Sequence, residues 1–454
     1  MSLLITNIAH GWVGDAAGTR VSGAIRIAAG LIVEMGDLTP RSGEAVLDAT
    51  GCVVAPGLVN THHHLFQSAL KGLALDCGLD AWLERVPYTY WPRLDEEALR
   101  ISARIGLAEL VLSGATTVCD HHYVFSDQYD YDPAEVLFEE AARFGIRFVL
   151  ARGGMERGRD FGPGTPPPPT ESVRAFLDDI ARTAARWHDP SETPMSRVVC
   201  APTTPNFNFT AAALPEIAQE ARHHGLRLHA HLSENTSYAA DTLATHGKRP
   251  VPWLSGCGWL GPDVWFAHLV DITRDEVAQL ADSGTAMAHC PQGNARLGSG
   301  IAPAPALHAA GGTVSLAVDG AGANEAAHMG AALYSAFLLH RAAHGVGGSD
   351  PGTILHWATM GGAMAQGLPR IGALRPGMAA DIVLFDLSAP CNLGLHDPAL
   401  GPIVTGTAQA RHSLVAGRMI IQDGRVPGLD LGTLAEDATR ITARLAKTPK
   451  PEPA

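Results

Sequence analysis

Short apolar segments alternate with helical segments between residues 50 and 320. Eight of the apolar segments lack strict alternation of apolar and polar positions, which is typical of parallel strands covered on both faces. The predicted strands span residues 54–62, 116–120, 146–151, 197–201, 226–231, 264–268, 285–289 and 313–319. Several of the helices between them end in a glycine, such as Gly145 and Gly284, that can adopt a left-handed backbone. This order predicts an α/β fold, a closed (β/α)₈ TIM-type barrel, with an open doubly wound sheet as the weaker alternative.

The two ends of the chain follow a different pattern. Short strands with glycine-rich turns are predicted at residues 3–8, 24–28, 31–35, 45–48, 381–387 and 412–422, and a helix at 431–447. We therefore predict two domains. Residues 1–55 and 370–454 form a small composite β-sandwich with a C-terminal helix, and residues 56–369 form the catalytic barrel.

Composition narrows the class of protein. Of the 454 residues 46% are hydrophobic and 17% charged, which is ordinary for a globular chain with a large core. The net charge of −13, with no long basic run, argues against nucleic acid or an anionic membrane as partner and leaves a small polar substrate. Seven cysteines without C-x-x-C spacing are typical of reduced cysteines. With no signal-peptide pattern in residues 1–12 and no run near the roughly 20 apolar residues of a membrane span, we expect a cytoplasmic protein and leave homo-oligomerisation open.

Three consecutive histidines follow the first predicted strand. Side chains alternate along an extended chain, so His62 and His64 point to one face and His63 to the other. Two imidazoles about 7 Å apart on one face can bind a single divalent metal ion. A chance placement in a solvated turn is the alternative, and the position directly after a buried strand argues against it.

Polar side chains close the eight predicted strands. In a parallel barrel the active site gathers where the strands end. The residues at these ends are His62, His63, His64, Asp120, His121, His122, Arg152, Thr203, Thr204, His229, His231, Glu234, His268, His289 and Asp319. So many histidines at one rim predict a metal site at the barrel mouth.

The order of the strands around the barrel predicts part of the ligand set. His62 and His64 supply two nitrogens, strand 5 a third, and Asp319 an oxygen from strand 8, which lies beside strand 1 in a closed barrel. Such a set suits zinc and tolerates iron or manganese. Asp319 could also accept a proton from an attacking water, and Glu234 and His268 could move protons or stabilise developing charge. A histidine that only satisfies local hydrogen bonds is the alternative for His268.

The motifs in these segments resemble the amidohydrolase superfamily, and within it the cytosine/guanine-type deaminase branch, over nearly the whole chain. They are residues 56–64 (PGLVNTHHH), 231–234 (HLSE), 267–268 (AH), 289–291 (HCP) and 318–320 (VDG). The resemblance implies a metal bound by His62, His64, His231 and Asp319. It also implies a proton-shuttling Glu234, a His268 that helps to polarise the attacking water, and no ligand role for His229. Strand 4 lacks the lysine of two-metal relatives, so one divalent ion, zinc first, is expected.

Within this branch the chain resembles 8-oxoguanine deaminases and, more closely, isoxanthopterin (pterin) deaminases. The shared stretches are residues 64–67 (HLFQ), 120–123 (DHHY) and 152–154 (RGG), and for the pterin enzymes also 197–204, 263–265 and 395–398. The resemblance implies hydrolytic deamination of an amino-substituted oxo-heterocycle with release of ammonia. Gln67 would read the ring amide, with Arg152, His122 and Thr203 at the substrate.

Two alternatives stay open at this point. Residues 206–209 and 292–295 depart from the 8-oxoguanine pattern, so the ring system is open, and an s-triazine aminohydrolase or dechlorinase is the second candidate. A non-catalytic protein, similar to the dihydropyrimidinase-like proteins that lost their ligands, is the third. The presence of all four expected ligands together with Glu234 and His268 argues against it.

Overall fold

Three sheets organise the chain, which a computed structural model describes over residues 2–159, 161–162 and 164–447. The strands are β1 (Ser2–Ile8), β2 (His10–Gly11), β3 (Gly23–Ala28), β4 (Leu31–Gly36), β5 (Ala45–Asp48), β6 (Cys52–Pro56), β7 (Leu58–Asn60), β8 (Ala115–His122), β9 (Arg147–Gly154), β10 (Ser196–Pro202), β11 (Leu228–Leu232), β12 (Val264–His268), β13 (Ala286–His289), β14 (Val314–Leu316), β15 (Ile382–Asp386), β16 (Ala410–Val415) and β17 (Arg418–Ile421).

Helices separate most of the barrel strands. They are α1 (Leu79–Leu83), α2 (Glu96–Leu112), α3 (Pro133–Phe144), α4 (Val173–Trp187), α5 (Pro205–Asn208), α6 (Ala213–His223), α7 (Thr236–His246), α8 (Pro250–Gly256), α9 (Arg274–Ser283), α10 (Pro291–Arg296), α11 (Ala304–Ala309), α12 (Ala321–Asn324), α13 (Met329–His344), α14 (Pro351–Trp357), α15 (Met360–Ala365), α16 (Gly401–Val404) and α17 (Leu431–Lys447). In the described part of the chain, none of them combines the length and apolar character needed to cross a membrane.

The eight-stranded sheet is a closed parallel barrel. Its strands run in chain order from β7 to β14, and each pairs in parallel with the next. Thr61 N donates to Leu316 O at 3.4 Å and Asp319 N donates to His62 O at 3.1 Å. These bonds join the first strand to the last, which confirms the predicted (β/α)₈ barrel and brings the ends of β7 and β14 together.

The first predicted strand, residues 54–62, is divided between two sheets. Cys52–Pro56 pairs with β15 outside the barrel, whereas Leu58–Asn60 begins the barrel. Gly57 lies at the crossing, where an added Cβ would be 2.1 Å from Thr116 Oγ1. Only glycine allows this approach of the backbone to the neighbouring strand.

With the exception of Trp265, small side chains fill the inside of the barrel. The inward positions form a cluster of Cys119, Val149, Ala151, Val199, Ala201, Trp265, Ala267, Ala286, Ala288, Cys290 and Ala317, which Ala365 of α15 joins. Alternation along β8 and β9 then fixes the faces of the neighbouring residues. His121, two residues after Cys119, faces inward, and Arg152, one residue after Ala151, faces the surrounding helices.

The other two sheets are built from both ends of the chain. Their orders are β4-β3-β1-β5 and β17-β16-β15-β6-β2. Ile5, Ile25, Val54, Ile382 and Leu414 share one apolar cluster between them, which confirms the small β-sandwich of both chain ends. The predicted strand 412–422 is a hairpin of β16 and β17.

The domain boundaries 1–55, 56–369 and 370–454 remain a prediction. The C-terminal helix bears on the last of these ranges, because α17 packs against α2 of the barrel. Arg444 of α17 bonds to Asp95 and Glu97 at the start of α2. The helix therefore contacts the barrel, although the sequence grouped it with the β-sandwich.

A buried ion pair ties the barrel to the sandwich. Arg147, the first residue of β9, donates from Nε to Asp381 Oδ2 at 2.6 Å and from Nη2 to Oδ1 at 3.0 Å. Both side chains are at most 2% exposed. We expect Asp381→Ala to lower the free energy of unfolding by about 3–5 kcal/mol, because it leaves a buried guanidinium without its partner.

Denaturant unfolding measures this loss. Asp178→Ala is the matched control, since Asp178 pairs with Arg174 at the surface of α4, and it should cost about 1 kcal/mol or less. Equal losses in the two variants would show that the Arg147–Asp381 pair does not hold the two parts together.

Candidate metal and active site

Four side chains converge where β7, β11 and β14 end. His62 and His64 follow β7, His231 lies in β11 and Asp319 follows β14, and all are buried. His64 Nε2 lies 3.2 Å from His231 Nε2. Asp319 Oδ1 lies 3.7 Å from His62 Nε2 and 3.6 Å from His64 Nε2. Barrel closure thus gathers residues that are far apart in the sequence.

The hydrogen bonds of the three rings fix their tautomers. His64 Nδ1 lies 2.7 Å from the carbonyl of His121, and His231 Nδ1 lies 2.6 Å from that of Thr203. A carbonyl only accepts, so both rings carry their proton on Nδ1. His62 Nδ1 lies 2.8 Å from His229 Nε2. Each Nε2 lone pair therefore faces the centre of the group.

This donor set fits a divalent cation. Burial, with the neighbouring histidines adding to it, holds the pKa of His62, His64 and His231 well below the usual range, so all three imidazoles are neutral and able to bind a metal ion. His62 Nε2 has no hydrogen-bond partner among the described residues. Tetrahedral zinc ligands at about 2.0–2.1 Å from the ion lie roughly 3.4 Å apart, close to the separations found here.

His121 also belongs to this group, although neither strand order nor the family resemblance assigned it a role. One nitrogen each of His62, His64, His121 and His231 lie within 4.8 Å of one another. His121 Nε2 donates to Ala201 O at 3.1 Å, and the ring stacks on His231. Its inward register, two residues after Cys119, places it in the group, and this register is visible only in the structure.

Glu234 and His268 lie beside the metal group. Glu234 Oε2 is 3.8 Å from His268 Nε2, and His268 Nδ1 donates to Asn294 Oδ1 at 2.8 Å. Asn294 thereby turns the Nε2 lone pair of His268 toward Glu234. Nothing in the sequence of residues 292–295 indicated this role of Asn294. His268 and Asp319 both have left-handed backbones, with φ of 76° and 65°. Such conformations are costly outside glycine and are common at functional sites.

Burial raises the pKa of Glu234 from 4.5 to about 7; the Asp319 carboxylate adds to this, whereas His268 opposes it. The folded metal-free protein then binds more protons than the unfolded chain between these pH values, so its stability falls as pH rises from about 4.5 to 7. We expect metal-free Glu234→Gln to be more stable than wild type by about 3 kcal/mol at pH 8 and equally stable near pH 4. Denaturant unfolding at both pH values checks this; equal stabilities at pH 8 would contradict it.

A cavity with about 690 Å³ of empty space, part of it open to solvent, lies above these groups. Of the predicted site residues, those at its surface are His64, Gln67, Thr203, His231, Glu234, His268 and Asp319. Its aromatic walls are Trp82, Tyr88, Tyr123, Phe207 and Tyr238. The Gln67 amide is buried, with Nε2 3.5 Å from Tyr123 Oη and Oε1 unpartnered within the described chain.

Arg152 and His122, which we expected at the substrate, do not line this cavity. Arg152 faces the helices, where its guanidinium bonds to Glu171 and Asp179 and packs on Phe125. His122 has the same outward register, and its Nε2 donates to Val124 O at 2.9 Å. The alternation of β8 and β9 is the physical reason.

Arg152→Met should therefore lower the stability of the fold and leave substrate binding largely unchanged. We expect a loss of about 3 kcal/mol in the free energy of unfolding, because two half-buried carboxylates lose their partner. The KM for substrate should stay within about threefold of wild type. A tenfold rise in KM with unchanged unfolding would return Arg152 to the substrate pocket.

Comparison with known proteins agrees with this geometry. The sequence profile of the amidohydrolase family matches residues 53–419. The chain is 43% identical over 449 residues to an isoxanthopterin deaminase of an unknown prokaryotic organism, covering 94% of this chain and 93% of that protein. It is 35% identical to 8-oxoguanine deaminase of Pseudomonas aeruginosa, covering 93% and 96%.

A solved structure shares the whole architecture. A variant of atrazine chlorohydrolase TrzN from Arthrobacter aurescens TC1, complexed with zinc and atraton, superposes with a TM-score of 0.91 at 30% identity, over 97% of this chain and 100% of that one. The chain therefore belongs to the amidohydrolase family and is an enzyme that hydrolyses carbon–nitrogen bonds.

Proposed function

We propose that the protein is a mononuclear zinc-dependent aminohydrolase. It deaminates an amino-substituted oxo-heterocycle of the isoxanthopterin or 8-oxoguanine type and releases ammonia. The observation that carries the proposal is the set of three Nε2 lone pairs and one carboxylate at the floor of an aromatic cavity, with Glu234 and His268 beside them.

His62, His64, His231 and Asp319 would hold the metal ion. Their neutral imidazoles and single carboxylate suit zinc, and the TrzN structure contains zinc. When bound, such an ion supplies Lewis acidity that makes water a nucleophile near neutral pH. A single ion is favoured because the four proposed ligands surround one centre. In addition, Thr203 and Thr204 stand directly after β10, where two-metal relatives have a lysine.

Proton transfer would depend on Glu234, His268 and Asp319. Glu234 takes a proton from the attacking water and passes it to a ring nitrogen as the new carbon–oxygen bond forms. A pKa of about 7 suits a group that both takes and gives a proton at neutral pH. Asp319 takes the second proton, which leaves with the amine as ammonia when the carbon–nitrogen bond breaks. His268, whose Nε2 carries a lone pair, would accept a hydrogen bond from the attacking water and so polarise it.

The cavity favours a flat ring with an amide edge. Phe207 and Tyr238 offer aromatic surface for the ring. The Gln67 amide offers both a donor and an acceptor, which matches the N–H and C=O of an oxo-heterocycle. Thr203 also lines the cavity. Two relatives named for isoxanthopterin and 8-oxoguanine support this class of substrate.

Ammonia release from a substrate panel tests the proposal. The panel holds isoxanthopterin, 8-oxoguanine, guanine, cytosine and hydroxytriazines, each assayed with zinc-loaded protein. We expect the highest kcat/KM on isoxanthopterin or 8-oxoguanine. Turnover confined to the triazines would favour the alternative suggested by the TrzN relative, and no turnover at all would refute the deaminase function.

A cytoplasmic location belongs to the same proposal. All seven cysteines are free, and five of them are buried. Disulfides are rare where thiols are kept reduced, as in the cytoplasm.

A further inference from the structure

A buried histidine beneath the metal group has no role in the mechanism above. His229 lies in β11, two residues before His231, and is fully buried. Its Nδ1 is 2.9 Å from the carbonyl oxygen of Trp265, and its Nε2 is 2.8 Å from Nδ1 of His62. These two bonds use both nitrogens of the ring.

The carbonyl of Trp265 sets the direction of both bonds. Because a carbonyl oxygen only accepts, His229 carries its proton on Nδ1 and its Nε2 is an acceptor. His62 must then donate from Nδ1, so its own Nε2 has a free lone pair. That atom lies 3.7 Å from Asp319 Oδ1, at the centre of the metal group.

Trp265 ties this ring to the backbone of the metal-binding segment. Its indole stacks on His229 with ring centroids 4.7 Å apart and 24° between the planes. Its Nε1 donates to Thr61 O at 3.2 Å, directly before His62. His229 and Trp265 therefore hold both the ring and the main chain of one ligand.

We propose that His229 is a positioning residue that fixes the tautomer and orientation of His62 and thereby sets metal affinity. The proposal rests on the proposed function, since it needs His62 to be a ligand. Partners that accept the second N–H of a ligating histidine typically change metal affinity by about 10–100-fold when removed. A neutral imidazole would fill this place, which a carboxylate or a carbonyl occupies at many metal sites.

Two substitutions separate hydrogen bonding from packing. His229→Gln keeps a hydrogen-bond acceptor but fills the space of the imidazole less well. His229→Phe keeps a ring against Trp265 but cannot accept the hydrogen bond from His62. His289→Phe is the matched control. His289 is buried at the end of β13, but its Nε2 pairs with His340 at 3.1 Å, outside the metal group.

Zinc affinity, measured by competition with a chelator of known affinity, is the readout. We expect His229→Phe to weaken zinc binding by about 10–100-fold, His229→Gln by less than about tenfold, and His289→Phe by less than about threefold. Thermal unfolding of the metal-free proteins reports packing separately. If His229→Phe does not fold, His229→Ala takes its place in the comparison.

The inference is overturned if His229→Phe binds zinc as tightly as His229→Gln, or if His289→Phe loses as much affinity. Wild-type protein that binds no zinc would instead overturn the proposed function, and the inference with it. Wild-type binding with the wrong order among the variants removes the inference alone.

Discussion

Glu234→Gln is expected to lower kcat by about 10²- to 10⁴-fold while zinc content stays at one ion per chain. Glutamine keeps the shape of the side chain but can neither take nor give the proton that passes from water to the ring nitrogen. Glu234 lies outside the proposed ligand set, so metal binding should persist. Steady-state ammonia release and metal analysis of the same sample measure both quantities.

Asp80→Asn is the matched control for Glu234→Gln. Asp80 is half-exposed at the mouth of the same cavity and bonds to Arg159 there. Removing this charge should change kcat by less than about tenfold, because the group is not placed to transfer a proton. If Glu234→Gln kept wild-type kcat, the proton-transfer role would have to be given to another residue.

His62→Ala should remove both zinc and activity. The substitution deletes the Nε2 that faces Asp319 and leaves two histidines and one carboxylate. A metal ion contributes several kcal/mol to transition-state stabilisation, so we expect kcat/KM to fall by about 10³- to 10⁴-fold. Zinc analysis after dialysis against a weak chelator should find a largely metal-free variant.

His122→Gln is the control for this experiment. It also removes a buried imidazole at a strand end, but one that contacts Phe66 and Phe125 outside the cavity. Zinc content should match wild type and kcat/KM should stay within about threefold. Full activity in His62→Ala would end the proposed metal site.

The barrel could be predicted from the sequence because its signals are local. Apolar strand segments and helix-ending glycines repeat along the chain, and Gly145 and Gly284 do adopt left-handed backbones at helix ends. The convergence of His62, Asp319 and a histidine of the fifth strand also followed, because strand order alone places strand ends at one rim; the choice of His231 came from the family resemblance.

Register could not be predicted in the same way. Strands buried on both faces show no alternation of polarity, so nothing in the sequence tells that Ala151 faces inward and Arg152 outward. For the same reason the sequence did not show that the chain passes from one sheet to another at Gly57, because this residue lies inside a continuous apolar run. The His62–His229 bond joins residues 167 positions apart, and only the closed barrel reveals it.

In the proposed mechanism a single zinc ion enables deamination. The most direct test is ammonia release from isoxanthopterin by metal-stripped protein during titration with zinc. We expect activity that rises in proportion to zinc and stops rising at one ion per chain. Activity in the stripped protein equal to that of the loaded protein would contradict it.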